Sequence, residues 1–167
     1  MMISLKKIGF LEILVLFSAF YVLSTLIWTA STRSSVQEKA NLIKSNHQLI
    51  VNFVNNEINN CDRGNDQTKT IWGDLCIDNW SSKKIISFIN LNLKLQNPHS
   101  NSKIIVKAAQ DPRLQAEGKA GQSTEMGTIF VSNKDFHSEP GSEWIIGTCV
   151  KSPCVAAGNN ELTSLYR

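Results

Sequence analysis

The chain has 167 residues, of which 42% are hydrophobic and 19% are charged, and its formal net charge is +3. This length fits one domain with an appendage, and this composition excludes a wholly disordered chain. The charge is too small to predict a specific nucleic-acid partner.

The first element along the chain is an apolar segment. From Ile8 to Thr29 the sequence reads IGFLEILVLFSAFYVLSTLIWT, and about 20 helical residues are enough to cross a hydrocarbon core. Lys6 and Lys7 precede this segment, whereas only Arg33 lies close behind it. The positive-inside rule therefore predicts a cytoplasmic N-terminus and places residues 31–167 outside.

Two simpler interpretations of the same segment are open. A cleaved secretory signal peptide would use Thr29-Ala30-Ser31 as its best small-residue site. Against it, the apolar run exceeds the 7–15 residues that signal peptides use, and Glu12 is a carboxylate early in that run. A plain single-pass anchor is the second alternative.

Glu12 is the one acidic residue in the apolar segment. A carboxylate inside hydrocarbon is costly and needs a partner or a route to the interface. Glu12 either reaches back to the cytoplasmic surface or pairs with a cation from a second chain.

The residues around Glu12 resemble a known family. Lys-Lys-x-Gly-Phe followed by Leu-Glu-Ile-Leu-Val, residues 6–15, is similar to the N-terminus of type IV prepilins. The resemblance implies that residues 1–9 are a leader, which prepilin peptidase removes between Gly9 and Phe10 before Phe10 is methylated. It also implies that Glu12 meets the terminal amine of Phe10 in a neighbouring subunit. Glu12 would be third in the mature chain, whereas the family places its glutamate fifth.

A long helix is predicted next, because no proline or glycine occurs from Phe10 to Asn60. Residues 10–30 form its membrane or assembly half, and residues 31–60 form an amphipathic half. The apolar residues of the second half recur at helical spacing: Val36, Ala40, Ile43, Ile50 and Val54, with Leu42, Leu49 and Phe53 widening the stripe. The alternative is two helices joined by a hinge at Thr29 to Ser34.

The four cysteines form two local pairs, Cys61 with Cys76 and Cys149 with Cys154. We expect two disulfides formed in an oxidising compartment. Four buried free thiols or one mixed four-sulfur site are the alternatives.

Residues 61–167 are predicted to form a globular head. Residues 61–80 form a turn-rich loop with Trp72 and Trp80 available to cover the helix. Ser81-Ser82 then begins a short helix, and Asn97-Pro98 is a turn. The apolar residues of this helix are Ile85, Ile86 and Ile89. The leucines that follow, Leu91, Leu93 and Leu95, alternate as in a strand.

Four segments of the head predict strands: Lys103–Ala109, Gly127–Ser132, Glu143–Val150 and, more weakly, Leu162–Arg167. Their spacing favours an antiparallel meander, and Gln110–Met126 reads as an exposed connection. Because one face of such a sheet must be covered, we expect the amphipathic half of the helix to pack on it. The predicted fold class is α+β, a long N-terminal helix on a small antiparallel sheet, as the resemblance to pilins also implies.

Catalytic motifs are missing from the sequence, so no enzyme activity is predicted. His47 lies near the apolar stripe and is expected to be a partly buried helix residue, while His99 and His137 fall in loops. No cofactor or metal site is predicted. Lys151, inside the Cys149–Cys154 loop, is the charge that such a loop would present to a surface; the resemblance implies that this loop is exposed on a filament.

The function these features predict is structural, a subunit of a type IV pilus-like filament for adhesion, motility or DNA uptake. Identical subunits and prepilin peptidase would be its partners. It would reside in the inner membrane before assembly and at the cell surface afterwards. The alternatives are a secretion-system pseudopilin and a single-pass anchored binding domain outside the cytoplasm.

Overall fold

The computed structural model describes residues 10–64, 67–77, 80–102, 104–119, 125–133 and 143–166, with only the backbone for residues 10–12. Seven elements follow one another along these residues: α1 (Phe10–Arg63), α2 (Ser82–Asn92), β1 (Val106–Ala108), α3 (Pro112–Ala116), β2 (Ile129–Asn133), β3 (Glu143–Cys149) and β4 (Asn160–Tyr166). The predicted α+β class is confirmed. The chain divides into two compact units, residues 1–38 and 39–167, and α1 contributes to both.

The part of α1 in the first unit is helical from Phe10 onward, including the residues from Thr29 to Ser34. Five of its hydroxyl side chains bond back to carbonyls in the preceding turn; for example, Thr25 Oγ1 donates to Val22 O at 2.8 Å. These bonds remove the polar cost of hydroxyl groups in an apolar helix. The segment is therefore helical throughout.

In the second unit, one side of α1 packs into the head. The buried apolar residues on this side are Ala40, Ile43, Ile50, Val51, Val54 and Ile58. Leu42 and Leu49 do not belong to this side, and the prediction that they widen the buried stripe is wrong. They precede Ile43 and Ile50 by one residue, which is about 100° around a helix, and their exposed fractions are 39% and 43%.

The sheet has the order β1-β2-β3-β4. The pairs β2–β3 and β3–β4 are antiparallel, as predicted, whereas β1 runs parallel to β2 with Val106 opposite Ile129. The sheet is therefore mixed, and the antiparallel expectation is wrong for β1. The connection between β1 and β2 explains the parallel pairing. It is long enough for the crossover of a dozen or more residues, usually with a helix, that parallel strands need.

That crossover contains α3, so the prediction of a merely exposed connection is wrong. Asp111 caps α3 by accepting a bond from Arg113 N at 2.9 Å, and Pro112 and Ala116 are buried. A β-carbon on Gly147 of β3 would lie 2.5 Å from Pro112 O, so α3 passes directly over this strand. Gly147 therefore points to the face that α3 covers. Neighbouring strand residues point to the opposite face, and α1 covers that one.

The helix α2 forms at the predicted place, with Ser81 as its N-cap residue. The alternating leucines do not form a strand, because α2 extends through Leu91 to Asn92 and the backbone then turns without sheet pairing. Leu91 is 84% exposed, whereas Leu93 and Leu95 pack against the core. The predicted turn at Asn97 forms, with Ser100 N bonded to Asn97 O.

The main core lies between α1, α2 and the sheet, and tryptophans fill its end. Trp72 meets Trp80 edge to face with centroids 5.0 Å apart, and Phe53 of α1 lies 6.0 Å from Trp72. The expectation that both tryptophans cover the helix is confirmed. Trp144 of β3, which is fully buried, completes the cluster.

Candidate functional site

Among the described residues, the most unusual surface is the apolar segment of α1. Its large apolar side chains are between 42% and 73% exposed. They are Ile13, Leu14, Val15, Leu16, Phe17, Phe20, Tyr21, Val22, Leu23, Leu26, Ile27 and Trp28. An exposed side chain of this kind forgoes roughly 1.5–3 kcal/mol of burial free energy. Twelve such side chains on one helix therefore favour an apolar cover.

Lipid can supply this cover. An 18-residue window of α1 reaches a mean hydropathy of 2.0 with none of its residues buried. The helix is long and apolar enough to cross a membrane, and it is the one such helix among the described residues. Helical backbone bonds are satisfied within the segment, as hydrocarbon demands.

On one side of this segment, Ile13, Leu16, Phe17 and Phe20 line an open apolar surface. The spacing i, i+3, i+4 and i+7 places these four side chains on one face of the helix. Such a face presents an almost wholly apolar surface, which suits packing against acyl chains or a second apolar helix.

The residues predicted for processing and pairing stand at the start of the described chain. Gly9 and the lysines before it lie outside the described residues. Phe10 and Glu12 are helical, and their side chains lie outside the description. Cleavage after Gly9 and the pairing of Glu12 therefore stay predictions.

Both predicted disulfides are present, and the four cysteines contain no free thiol. The alternatives of free thiols and of a four-sulfur site are wrong. Cys61–Cys76 ties the last turns of α1 to the tryptophan-bearing loop, with the Cα atoms 5.2 Å apart. Two disulfides in a chain of this size indicate an oxidising environment for the head.

The second disulfide closes the loop before β4. Asn159 O accepts bonds from Val150 N at 2.8 Å and Lys151 N at 3.1 Å, and Asn160 Nδ2 donates to Cys154 O at 2.6 Å. Lys151 is exposed at the surface of this loop. The loop is thus ordered by the two asparagines as well as by the disulfide, a contribution that the cysteine spacing alone did not indicate.

A polar groove of about 420 Å³ lies beside β1 and was not predicted from the sequence. It is lined by Asn97, His99, Ser100, Ser102, Lys107, Glu125 and Met126. Lys107 Nζ lies 2.6 Å from Glu125 Oε2, and this hydrogen bond, with a second from Thr128, lowers the pKa of Glu125. The Asn97 amide is used within the loop, because Nδ2 donates to Met126 O and Oδ1 accepts from His99 N. The groove resembles a solvated surface more than a preorganised site.

Groups of three or more histidine, cysteine or acidic side chains at metal-binding distance are missing from the described part of the chain. The exposed segment of α1 is therefore the candidate functional surface. No protein-family model, curated protein or solved structure matches the chain.

Proposed function

We propose that the chain is a structural subunit of a type IV pilus-like filament. It is held in the inner membrane by the apolar segment of α1 before assembly, and it then stacks through that segment with identical subunits. A pseudopilin of a secretion system is a member of the same structural class.

The observation that carries this proposal is the exposure of every large apolar side chain from Ile13 to Trp28. The helix they belong to continues into a disulfide-bonded head. A segment that is apolar all round can be covered by lipid or by copies of itself. Burying about 1,000 Å² of apolar area per subunit favours association by roughly 25 kcal/mol before entropic costs.

The proposal assigns Glu12 a specific role, the pairing of neighbouring subunits. In a bundle of such helices, a buried carboxylate needs a cation, and the free amine that cleavage would create at Phe10 of a neighbour supplies one. The pair would fix the stagger between subunits. The sequence around both residues is the part that resembles prepilins.

Mass spectrometry of the mature protein tests the processing step. We expect a chain that begins at Phe10 and carries an N-methyl group, and we expect Gly9→Leu to block the cleavage. An intact N-terminus on the wild-type chain would contradict the proposal and indicate a permanently anchored domain.

Filament assembly tests the pairing step. Glu12→Ala and Glu12→Gln are expected to abolish or strongly reduce filaments seen by electron microscopy while leaving the head folded. Glu38→Ala is the matched control, because Glu38 is an exposed carboxylate on the same helix that accepts a bond from Ser34 Oγ one turn earlier. Normal filaments from both Glu12 variants would overturn the pairing.

The second candidate function is a single-pass anchored binding domain, which one helix long and apolar enough to cross a membrane and a disulfide-bonded head would also fit. In that case the protein stays monomeric and uncut in the membrane. The mass of the mature chain separates the two candidates.

A further inference from the structure

From Asn41 to Asn60, the exposed positions of α1 in the second unit hold no charged residue. Ten positions in this range are exposed, and each holds an amide, a serine or a leucine. They are Asn41, Leu42, Ser45, Gln48, Leu49, Asn52, Asn55, Asn56, Asn59 and Asn60. We call these ten positions the amide face.

The charged residues in this range, Lys44 and Glu57, are half-buried and each bonds to the head, although Glu57 Oε1 also accepts a bond from Asn60 Nδ2 at 3.3 Å. Lys44 Nζ lies 2.8 Å from Glu161 Oε1 on β4, and Glu57 Oε2 accepts a bond from Ile71 N at 3.0 Å. A helix face in water is charged or polar, but asparagine is among the poorer helix formers, and two exposed leucines lie on this face. The composition of the amide face is therefore better suited to a contact than to solvent.

The amide face also has a regular spacing. Leu42, Ser45, Leu49, Asn52, Asn56 and Asn59 succeed one another at alternating intervals of three and four residues. Alternating intervals of three and four are the seam of a coiled coil. Leu42 and Leu49 provide its apolar positions, and Asn56 continues their line one heptad later, where an asparagine fixes register between parallel helices.

We propose that the amide face binds the amide face of a second copy of this chain, with the two α1 helices side by side and parallel. In a parallel pair in register, each seam residue meets its own counterpart, so a charged seam residue would meet a like charge. Side-chain amides carry both donors and an acceptor, so each can bond to its own counterpart. Leu42 would then face Leu42, and Leu49 would face Leu49.

The parallel orientation rests on the membrane anchoring given in the proposed function. Two copies held in one bilayer point the same way, and their confinement raises the effective concentration of one head near another. A modest contact with two leucines per copy is therefore sufficient in the membrane. The pair of copies would be a step before, or an element of, a larger assembly.

Thiol cross-linking of the full-length chain in phosphatidylcholine vesicles tests the proposal. Ser45→Cys places a thiol on the seam, and Lys83→Cys places one on the exposed side of α2 as the matched control. We expect the cross-linked fraction to be about tenfold higher for the seam variant, because the proposed contact holds its two thiols close together, whereas the control thiols meet only by random collision in the same membrane. Equal cross-linking of the two variants, or no cross-linking of the Ser45→Cys chain, would overturn the proposal.

A second test places a charge in the seam. Asn52→Asp keeps a side-chain oxygen, Oδ1, that can accept the bond from Gln48 Nε2, so the helix is retained, whereas Asn52→Gln is the neutral control. Combined with Ser45→Cys, the aspartate is expected to lower cross-linking about tenfold through like-charge repulsion. An aspartate variant that cross-links as well as the glutamine variant would contradict a homotypic contact.

Failure here is distinguishable from failure of the proposed function. Filaments that form from Asn52→Asp chains would overturn a role of the amide face in assembly and leave the filament proposal intact. Chains that cross-link through Ser45→Cys but are never cleaved after Gly9 would overturn the pilus-like proposal and leave the pairing of anchored copies intact.

Discussion

His47 of α1 and Thr163 of β4 are joined by a hydrogen bond across the helix–sheet interface, with Nε2 3.0 Å from Oγ1. The imidazole is 2% exposed. The ion pair of Lys44 with Glu161 lies beside it. Burial lowers the pKa of His47 to about 4, and this effect outweighs the opposing attraction of Glu161. The neutral imidazole is therefore part of the contact between the first and the last elements of the fold.

The stability of the head is expected to depend on pH through His47. An unfolded histidine titrates near its ordinary pKa of about 6.5, so between about pH 6.5 and pH 4 the unfolded state binds the extra proton. Stability is then complete above this window and falls as the pH decreases through it, by up to about 3 kcal/mol. Urea unfolding followed by tryptophan fluorescence at pH 7 and pH 4.5 measures the loss.

Substitution of His47 tests whether this residue, and not another titrating group, causes the pH dependence of stability. His47→Gln keeps a polar partner for Thr163 and is expected to flatten the pH dependence in this window. His99→Gln is the control, since His99 is far less buried than His47, and it should keep most of the dependence. A wild-type slope in the His47→Gln chain would assign the pH dependence to other groups.

Asn90 of α2 closes the outer edge of β1, and its removal is expected to destabilise the head. Its Nδ2 donates to Val106 O at 2.8 Å, while Oδ1 accepts from Ile105 N and Val106 N. Ile105 and Val106 are buried, so Asn90→Ala leaves buried backbone groups unpaired, at a cost of about 3 kcal/mol. Asn92→Ala is the matched control, because its amide donates to Phe88 O on the exposed side of the same helix.

Chemical denaturation of the two asparagine variants makes this comparison. The midpoint should fall strongly for Asn90→Ala and little for Asn92→Ala. Equal midpoints would mean that water or another side chain replaces the Asn90 amide at the edge.

Gly147 is required where α3 crosses β3. Gly147→Ala would bring a β-carbon to 2.5 Å from Pro112 O and 3.2 Å from Ala116 Cβ. Because the contact is with backbone, α3 must move, and we expect a loss of about 2 kcal/mol. Ser164→Ala, on the neighbouring strand, is the control for the substitution itself. Unfolding midpoints that match wild type would show that α3 shifts without cost.

The two disulfides are expected to contribute unequally. Cys61–Cys76 closes a loop with a sequence separation of 15, and Cys149–Cys154 closes one of 5. Constraint of the unfolded chain predicts losses of about 3 kcal/mol for Cys61→Ala/Cys76→Ala and about 2 kcal/mol for Cys149→Ala/Cys154→Ala. Calorimetry of both double variants checks the order, and the reverse order would show that native packing around the cysteines dominates.

Features with short-range causes were predictable from the sequence. The helical course of α1 follows from the lack of proline and glycine, and the buried line of Ala40, Ile43 and Ile50 follows from helical spacing. The pairing of cysteines five and fifteen residues apart follows from the ease of closing short loops. The candidate surface was predictable for the same reason, because a run of apolar side chains is visible without knowledge of the fold.

The tertiary structure alone decided how distant segments meet. The parallel pairing of β1, the passage of α3 over Gly147 and the use of Asn90 as an edge partner each depend on residues far apart in the chain. The amide face was present in the sequence as a run of asparagines, yet only the structure shows that Lys44 and Glu57 are half-buried against the head while the ten uncharged positions are exposed. Local sequence patterns determine which side chains favour burial. Which segment of the chain buries them depends on the packing of the whole head.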